Sequence, residues 1–452
     1  MKRLLVANRG EIACRVIRAA QALNIETVAV YSEADQDALH KNTADQAHAI
    51  GPAKAQESYL NVENVLAAAA ASGADSVHPG YGFLAENSAF ARRVEGAGLI
   101  WVGPRPEQID AMGDKERARA IAAQAGVPVL PGSARFAPGD NQGLEGAAED
   151  VGYPLLVKAS AGGGGIGMRQ VGSPEKLREV AEATQGMAER SFGDGTIYLE
   201  RYVPKARHIE IQVFGLGNGE VVHFWERECS IQRRFQKVVE EAPAPGLPGA
   251  VREAMAKAAV ALASSQSYAG AGTVEFIVDA DTYDFYFLEM NTRIQVEHPV
   301  TEMVTGADLV QLQLRLAGGS LTTLSQEDIS LQGHAIECRI YAENPAKMFL
   351  PSPGPLAVFK LPEVSTSCRV DTGFQQGDAV TPYYDPMIAK LIVHAASRAA
   401  ALQAMSDALG QTAIEGIQAN EVFLNNVIEH PSFAAGDCFT GFIDQHKDAL
   451  IP

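Results

Sequence analysis

The sequence predicts an α/β protein of several domains that begins with a doubly wound sheet. The chain has 452 residues, enough for roughly three domains, and its apolar fraction of 46% is ordinary for a globular protein. Its start reads as a β-α-β unit, with a strand at Arg3–Ala7, a helix at Glu11–Leu23 and a strand at Thr27–Tyr31. Its last part reads as strands broken by proline and glycine, followed by a helix at Ser397–Leu409, which predicts an α+β domain.

The first domain continues as alternating helices and strands to about residue 114. We predict a helix near 62–71, a strand near 76–78, a helix near 88–97 and a strand at 99–102. The first glycine turn holds only Gly10, which is too little for a dinucleotide fingerprint. A helix around Lys115–Ala125 then leads into the next domain.

A row of polar residues is the most informative local pattern. Glu289, Asn291, Arg293, Gln295 and Glu297 occupy successive alternate positions. In an extended chain such side chains project from one face. A solvated strand face is the ordinary explanation, but these residue types offer metal ligands, an anion-binding fork and a base. The row therefore predicts a reactive site.

The residues just before this row predict how it is placed. The run 285–288 is apolar on both faces, which predicts a central buried strand. A second β-rich run, 271–278, precedes a turn-prone segment, so the two runs predict a hairpin. With a loop centred near Thr282, Glu275 would face Glu289 with Cβ atoms roughly 5 Å apart. Facing carboxylates share a proton or hold a divalent cation such as Mg²⁺.

A glycine-rich segment supplies a candidate phosphate cradle. Gly162–Gly165 follow the short strand that ends at Lys158, and another extended run, Met168–Val171, comes after them. Glycines free the backbone to wrap an anion, although a flexible linker has the same composition. The spacing is neither that of a P-loop nor that of a Rossmann turn. Since the glycines bridge two strands, we predict a mobile flap over phosphates, followed by a helix with Ser173 as its N-cap.

Composition excludes several classes of protein. The net charge of -18 disfavours a nucleic-acid partner, because phosphate backbones require a concentrated basic face. The apolar stretch Leu4–Ala7 is too short for a signal-peptide core, and no apolar stretch is long enough to span a membrane. The five cysteines are scattered and odd in number, which indicates reduced thiols and a cytoplasmic protein.

Motifs spread over nearly the whole chain resemble those of the biotin carboxylases, members of the ATP-grasp superfamily. They are L-L-V-A-N-R-G-E-I-A at 4–13, H-P-G-Y-G-F-L-A-E-N at 78–87, the glycine segment, R-H-I-E-I-Q at 207–212, Q-R-R-F-Q-K-V-V-E-E-A-P-A-P at 232–245, E-M-N-T-R-I-Q-V-E-H-P at 289–299, E-C-R-I at 337–340 and Y-Y-D-P-M-I-A-K at 383–390. The resemblance implies an N-terminal biotin carboxylase domain at 1–114, an ATP-grasp domain at 115–330 with a lid at about 129–203, and a C-terminal biotin carboxylase domain at 331–447.

The resemblance implies ATP and Mg²⁺ (or Mn²⁺) as cofactors. Lys115 and Lys158 would contact the ATP phosphates, and the flap glycines would close over them. The metal would be held by Glu275, Glu289 and Asn291. The remaining nucleotide-pocket residues implied by the family are Gly163, Gly164, Gly165, Glu200, Val203, His208, Gln232 and Ile277. Without the family, His208 would be read as a satisfied histidine on a strand.

The resemblance also implies the reaction, which is carboxylation of biotin by bicarbonate through carboxyphosphate. Glu297 would be the general base that deprotonates bicarbonate. Arg339 would stabilise the biotin enolate, with Tyr81 close by. Bicarbonate itself would be held by Arg293, Gln295, Val296 and Lys237.

Two positions depart from the family pattern. Ile166 stands where the flap usually carries a cation, a substitution that is similar to the urea carboxylase branch. Phe235 stands where relatives carry His or Asn, so a polar group near Lys237 is missing. These two departures leave open the alternative that the chain is a degenerate subunit that binds a nucleotide.

The sequence contains no biotin-attachment motif of the M-K-M type, because its sole M-K is Met1-Lys2. This absence predicts which partners the chain needs. We therefore expect a separate biotin carboxyl carrier protein and separate carboxyltransferase subunits, and homodimerisation as in the family. The final acceptor is open: an acetyl-CoA carboxylase-like role in fatty acid biosynthesis, another acyl-CoA and urea all fit. Another ATP-grasp ligase, such as a carboxylate-amine ligase, is the competing enzyme class.

Overall fold

The computed structural model describes residues 1–160 and 167–451. It divides into two compact units. The first comprises 1–127, 208–275 and 289–452, and the second comprises 128–207 and 276–288. Among the residues described, no helix is both long and apolar enough to cross a bilayer.

The first unit opens with a parallel sheet of strand order β3-β2-β1-β4-β5, which confirms the predicted doubly wound domain. Asn61 and Asn87 cap two of its helices by accepting from backbone N–H groups, and Gly73 ends the first of these in the left-handed conformation (φ +65°). The elements are β1 (Arg3–Val6), α1 (Gly10–Ala22), β2 (Glu26–Tyr31), α2 (Leu39–Thr43), β3 (Gln46–Ala49), α3 (Val62–Ser72), β4 (Ser76–His78), α4 (Ser88–Gly96), β5 (Ile100–Trp101), α5 (Pro106–Gly113) and α6 (Lys115–Gln124).

The second unit is built on an antiparallel sheet of order β7-β6-β8. Its core joins this sheet to two helices through buried aliphatic residues such as Leu155, Val157 and Leu199. Ser173 precedes a short 3-10 turn, Pro174–Lys176, and makes no side-chain cap, so the helix begins later than predicted. The elements are α7 (Leu144–Val151), β6 (Leu155–Ala159), β7 (Met168–Val171), α8 (Leu177–Phe192) and β8 (Ile197–Arg201).

An eight-stranded sheet of order β13-β12-β9-β10-β11-β14-β21-β19 carries most of the polar motifs. Helix α10 packs on β11, β14 and β21, and its Val300 and Val304 lie in a small apolar cluster with Ala242, Ala335 and Ile392. The first elements of this sheet and its helices are β9 (Ala206–Leu216), β10 (Val221–Arg233), β11 (Gln236–Ala242), α9 (Gly249–Ser265), β12 (Ala269–Asp279), β13 (Phe285–Asn291), α10 (His298–Thr305) and α11 (Leu309–Ala317).

The C-terminal region combines the last strands of that sheet with three short two-stranded ladders and a helical layer. A large apolar core, including Ile336, Leu391 and Phe423, joins them, which confirms the α+β prediction. The elements are β14 (His334–Tyr341), β15 (Glu343–Asn344), β16 (Leu350–Pro351), β17 (Gly354–Pro355), β18 (Val358–Lys360), β19 (Cys368–Thr372), β20 (Ala379–Val380), β21 (Met387–Ala395), α12 (Arg398–Gly410), β22 (Ala413–Glu415), α13 (Glu421–Glu429), α14 (Pro431–Ala434), α15 (Phe442–Gln445) and α16 (Lys447–Leu450).

The strand that begins the polar row differs from its prediction. A central buried strand was predicted, but β13 lies at an edge of the sheet and Leu288 is 41% exposed. An apolar run does not distinguish an edge strand from a central one, so this prediction was wrong. The strand ends at Asn291, and Glu297 is the residue immediately before α10. The alternation beyond Asn291 is therefore a coincidence of spacing.

Candidate active site

Lys237 is the centre of a buried charge cluster in the first unit. Its Nζ donates to Glu210 at 2.6 Å, to Glu275 at 2.9 Å and to Glu297 at 2.6 Å. Burial alone would lower the pKa of this ammonium, but the three carboxylates hold it well above its ordinary value. A second cation, the fully buried Arg227, donates to Glu210 at 2.5 Å. Lys237 is therefore permanently charged and fixes three acids from distant parts of the chain.

Glu297 is held between two cations. It is fully buried at the start of α10 and accepts from Lys237 at 2.6 Å and from Arg339 at 3.0 Å. Burial would raise the pKa of this carboxyl, yet Lys237, Arg339 and Arg227 together bring it well below its usual value. The side chain is thus an ionised acceptor whose proton affinity depends on these cations.

Arg339 connects Glu297 to the interior of the sheet. It lies on β14, directly across from Lys390 on β21, and its Nη2 is in ion-pair contact with Glu240 on β11. Lys390 is fully buried and donates to the carbonyl of Val296 at 2.6 Å. The loop that carries the polar row is therefore fastened to the C-terminal strands at both Val296 and Glu297.

The three predicted metal ligands lie near one another. Glu275 Oε1 accepts from Asn291 at 2.9 Å, and its Oε2 lies 3.0 Å from His208 Nε2. Glu289 is more open, with a side chain 39% exposed, and Lys115 Nζ lies 4.0 Å away. Burial and the neighbouring Glu275 raise the pKa of Glu289. Two carboxylates that repel are oxygen donors that suit Mg²⁺, whereas the Asn291 amide donates its Nδ2 to Glu275 and accepts from Arg293 at its Oδ1.

Arg293 and Gln295 form a polar link beside this group. Arg293 donates to Glu86 at 2.9 Å, to Gln295 Oε1 at 3.0 Å and to Asn291 Oδ1 at 3.0 Å. Gln295 in turn donates to Glu275 at 3.1 Å. The guanidinium fork is satisfied by protein groups, so an incoming anion has to displace Glu86 or share Arg293 with it.

His208 and Gln232 contact each other, with Gln232 Nε2 2.8 Å from His208 Nδ1. Gln232 also donates to the carbonyl of Cys229 at 2.8 Å. Phe235 lies apart from this pair, in the turn between β10 and β11. There Arg234 and Phe235 both have positive φ, and the Phe235 side chain is 71% exposed. The phenyl ring is on the surface, and its sequence position alone did not indicate this.

The second unit holds the remaining predicted nucleotide residues. Lys158 donates to Glu200 at 2.7 Å; burial lowers the pKa of the ammonium, and Glu200 more than offsets this, so the pKa is raised. Val203 is buried in a cluster that Ile277 packs against. The flap residues Gly162–Gly165 and Ile166 lie outside the described residues.

Tyr81 lies in the first unit, where its hydroxyl donates to Glu11. Several residues of this site were not predicted from sequence: Glu11, Glu86, Glu210, Arg227, Glu240 and Lys390. All except Arg227 lie inside the motifs quoted above, so the motif sequence was the available signal. Their importance comes from contacts between separate motifs, which no single motif shows.

Three protein-family models match consecutive parts of the chain. They are "Biotin carboxylase, N-terminal domain" at residues 1–109, "Carbamoyl-phosphate synthase L chain, ATP binding domain" at 114–325 and "Biotin carboxylase C-terminal domain" at 337–445. A biotin carboxylase of Halalkalibacterium halodurans is 51% identical over 98% of this chain and 98% of its own length. The chain belongs to the biotin carboxylase family. This confirms the resemblance and the predicted fold class.

The chain spans less than two thirds of the length of several relatives that it matches. The mitochondrial methylcrotonoyl-CoA carboxylase subunit alpha of Mus musculus is 49% identical over 100% of this chain, which spans 62% of that relative. A solved biotin carboxylase domain dimer of Hydrogenobacter thermophilus 2-oxoglutarate carboxylase, in complex with MgADP, ADP and bicarbonate, is 45% identical. It has a TM-score of 0.89 and covers 99% of this chain and 98% of its own.

Proposed function

We propose that this chain carboxylates biotin with bicarbonate and ATP, giving carboxybiotin, ADP and phosphate through carboxyphosphate. The observation that carries the proposal is Glu297, a buried and ionised carboxylate between Lys237 and Arg339. A base in this position is held in one orientation by charge-assisted hydrogen bonds. Membership of the biotin carboxylase family and the MgADP and bicarbonate complex of the Hydrogenobacter relative support it.

Glu297 accepts the bicarbonate proton in the proposed reaction. Lys237 and Arg293 are the cations that compensate the bicarbonate charge, and Gln295 and the Val296 backbone orient the anion. Because Lys237 also contacts Glu210 and Glu275, it keeps its place when Glu297 becomes protonated. Arg339 is then available to stabilise the biotin enolate beside Tyr81.

Glu275, Glu289 and Asn291 would hold the metal, which would neutralise charge on the ATP phosphates. The raised pKa of Glu289 supports this assignment, because a cation there relieves its repulsion from Glu275. The ATP roles of Lys115, Lys158, Glu200, Val203, His208, Gln232, Ile277 and the flap glycines stay predictions from the family.

Glu297→Gln tests the proposal. We expect biotin-dependent ADP release from ATP, bicarbonate and free biotin to fall by about 100-fold or more, because the amide cannot accept the proton. Glu241→Gln is the matched control: Glu241 is equally buried but pairs with His334 and Arg398. ADP release by Glu297→Gln at the wild-type rate would refute its role as base. ATP binding by the wild type without bicarbonate-dependent hydrolysis would instead indicate a degenerate nucleotide-binding subunit.

The partners form the second part of the proposal: a biotin carboxyl carrier protein, a carboxyltransferase and a second copy of the chain, in the cytoplasm. We propose an acyl-CoA as the final acceptor, which the similarity to methylcrotonoyl-CoA carboxylase supports. Acetyl-CoA is the other acyl-CoA candidate. Co-purification of the tagged chain, followed by carboxylation assays with a panel of acyl-CoAs, pyruvate, 2-oxoglutarate and urea, tests this. Carboxylation of a substrate without a thioester would contradict it.

A further inference from the structure

Two glutamates face each other inside the large sheet, behind the proposed base. Glu240 on β11 and Glu337 on β14 are register partners in an antiparallel pair, and both are fully buried. Side chains at directly opposite positions lie on one face of the sheet, with Cβ atoms about 5 Å apart. Two ionised carboxylates at this distance repel each other, and burial increases the repulsion. The pair therefore needs either a cation or a proton.

Among the described residues, the cations near Glu337 contact other groups. Lys237 already contacts three carboxylates, Lys390 lies 3.4 Å from Glu11, and Arg339 contacts Glu240 and Glu297. Within the described ranges, no hydrogen bond reaches either oxygen of Glu337 or of Glu240, although Glu240 Oε1 is in ion-pair contact with Arg339. The charged and titratable groups around the pair are Lys237 on β11, Cys229 on β10, Cys338 and Arg339 on β14, Lys390 on β21 and Glu297 before α10.

The packing around the pair excludes water. Ile392 is the register partner of Glu337 on the neighbouring strand, and Val300 and Val304 of α10 pack in a cluster with it. The ring of His298, also on α10, has Nδ1 2.7 Å from the carbonyl of Gln295. Burial and the neighbouring carboxylates raise the pKa of Glu240 to about 7 and that of Glu337 well above its usual value, although Arg339 and Lys390 oppose this.

We propose that Glu240 and Glu337 hold one proton between them, resting mainly on Glu337, and that the pair positions Arg339 beside Glu297. Glu337 supplies a neutral neighbour, which lets Glu240 keep its negative charge against the Arg339 guanidinium. A negative charge on Glu337 as well would attract the Arg339 guanidinium and move it away from Glu297. Glu240 and Glu337 are thus positioning residues, and this role rests on the proposed function of Arg339 and Glu297.

Infrared spectroscopy of the protein with 13C-labelled glutamate tests the shared proton without any substrate. We expect a carboxylic-acid carbonyl band near neutral pH in the wild type, and loss of one component of it in Glu337→Gln. Glu241→Gln, one position from Glu240 on the opposite face, should retain that component. Glu337→Met gives the same test should the amide variant fail to fold, because an apolar side chain is tolerated in place of a neutral buried acid. An unchanged band in both Glu337 variants would overturn the proposal.

Kinetics test the positioning role. We expect Glu240→Gln to lower kcat for biotin-dependent ADP release by about 10- to 100-fold with KM for ATP unchanged, because Arg339 loses its anchor. Glu240→Asp should recover part of this loss. Glu337→Gln should leave the acid limb of the kcat profile in place and remove the fall of kcat at alkaline pH, because a second negative charge can then no longer form beside Arg339.

Three outcomes separate the possible failures. Wild-type kcat and an unchanged pH profile in Glu240→Gln and Glu337→Gln would overturn the positioning role. An equal loss of kcat in Glu241→Gln would do the same, because a general loss of stability would then explain all the variants. A wild-type protein with the infrared band but no biotin-dependent ADP release would refute the proposed function and leave the shared proton established.

Discussion

Glu289 and Glu297 lie eight positions apart in one motif, yet their surroundings have opposite electrostatic effects. Glu289 is partly exposed, the solvated Lys115 lies 4.0 Å from it, and burial and Glu275 raise its pKa. Glu297 is fully buried, and its pKa is lowered by Lys237 and Arg339 after burial has acted against ionisation. Burial alone would predict the reverse order. The number and distance of neighbouring cations therefore decide which carboxylate is ionised most firmly.

This difference suits the two carboxylates to different roles. Glu297 has fixed protein cations on both oxygens, which suits a group that must stay in one orientation while it exchanges a proton. Glu289 is repelled by Glu275, and Lys115 and His208 offset this repulsion only in part, which suits a group that binds a cation from solution. Four substitutions test this difference, from the largest expected effect to the smallest.

Lys237→Met should have the largest effect, because it removes the cation that Glu210, Glu275 and Glu297 share. We expect the free energy of unfolding to fall by about 3–5 kcal/mol, as for a buried ion pair that loses one partner. Urea denaturation measures this. Lys257→Met, at an exposed position of α9, is the control. A loss no larger than that of the control would show that the three acids do not depend on Lys237.

The pH dependence of stability should differ between wild type and Glu297→Gln. The folded-state pKa of Glu297 lies below its unfolded value, so its stabilisation is complete above about pH 5 and is lost as the pH falls further. Each proton taken up on unfolding lowers the unfolding free energy by about 1.4 kcal/mol per pH unit. Wild type should therefore lose stability more steeply than the variant from about pH 5 to 3. Parallel pH curves would contradict the lowered pKa.

Glu289→Gln should act on metal use while leaving stability intact. Removing a carboxylate with a raised pKa leaves the free energy of unfolding unchanged or slightly higher. We expect the Mg²⁺ concentration for half-maximal ADP release to rise about tenfold or more, because one carboxylate ligand is lost. Asp281→Asn, an exposed position in the loop between β12 and β13, is the control. An unchanged Mg²⁺ requirement would remove Glu289 from the metal site.

Lys115→Met should have the smallest effect. The Lys115 side chain is 86% exposed, and an ion pair at 4.0 Å in solvent contributes little to stability. We expect the unfolding midpoint to stay unchanged. KM for ATP should rise about two- to fivefold, because the variant loses one solvent-exposed contact with the ATP phosphates. Lys257→Met again serves as the control. A clear loss of stability would mean that Lys115 supports the fold around Glu289.

Local patterns were sufficient for much of the fold. The β-α-β opening, α3, β4, α4, α6 and the flanking strands β6 and β7 lie within a few residues of their predicted positions, because periodicity and capping are local. Local patterns did not predict the position of β13, because its apolar run predicted a central strand and the structure places it at the edge of the sheet. Position within a sheet depends on which other strands pair, and that is a property of the whole chain.

The sequence by itself determined the family, the fold class and the residue types of the site, because the motifs carry these directly. Only the tertiary structure showed that Lys237 joins acids from positions 210, 275 and 297, and that Glu240 faces Glu337. The physical reason is that the proton affinity of a buried acid depends on charges within a few ångströms. Those charges come from β9, β11, β12, β14 and the start of α10, which are distant in sequence and adjacent only in the folded chain.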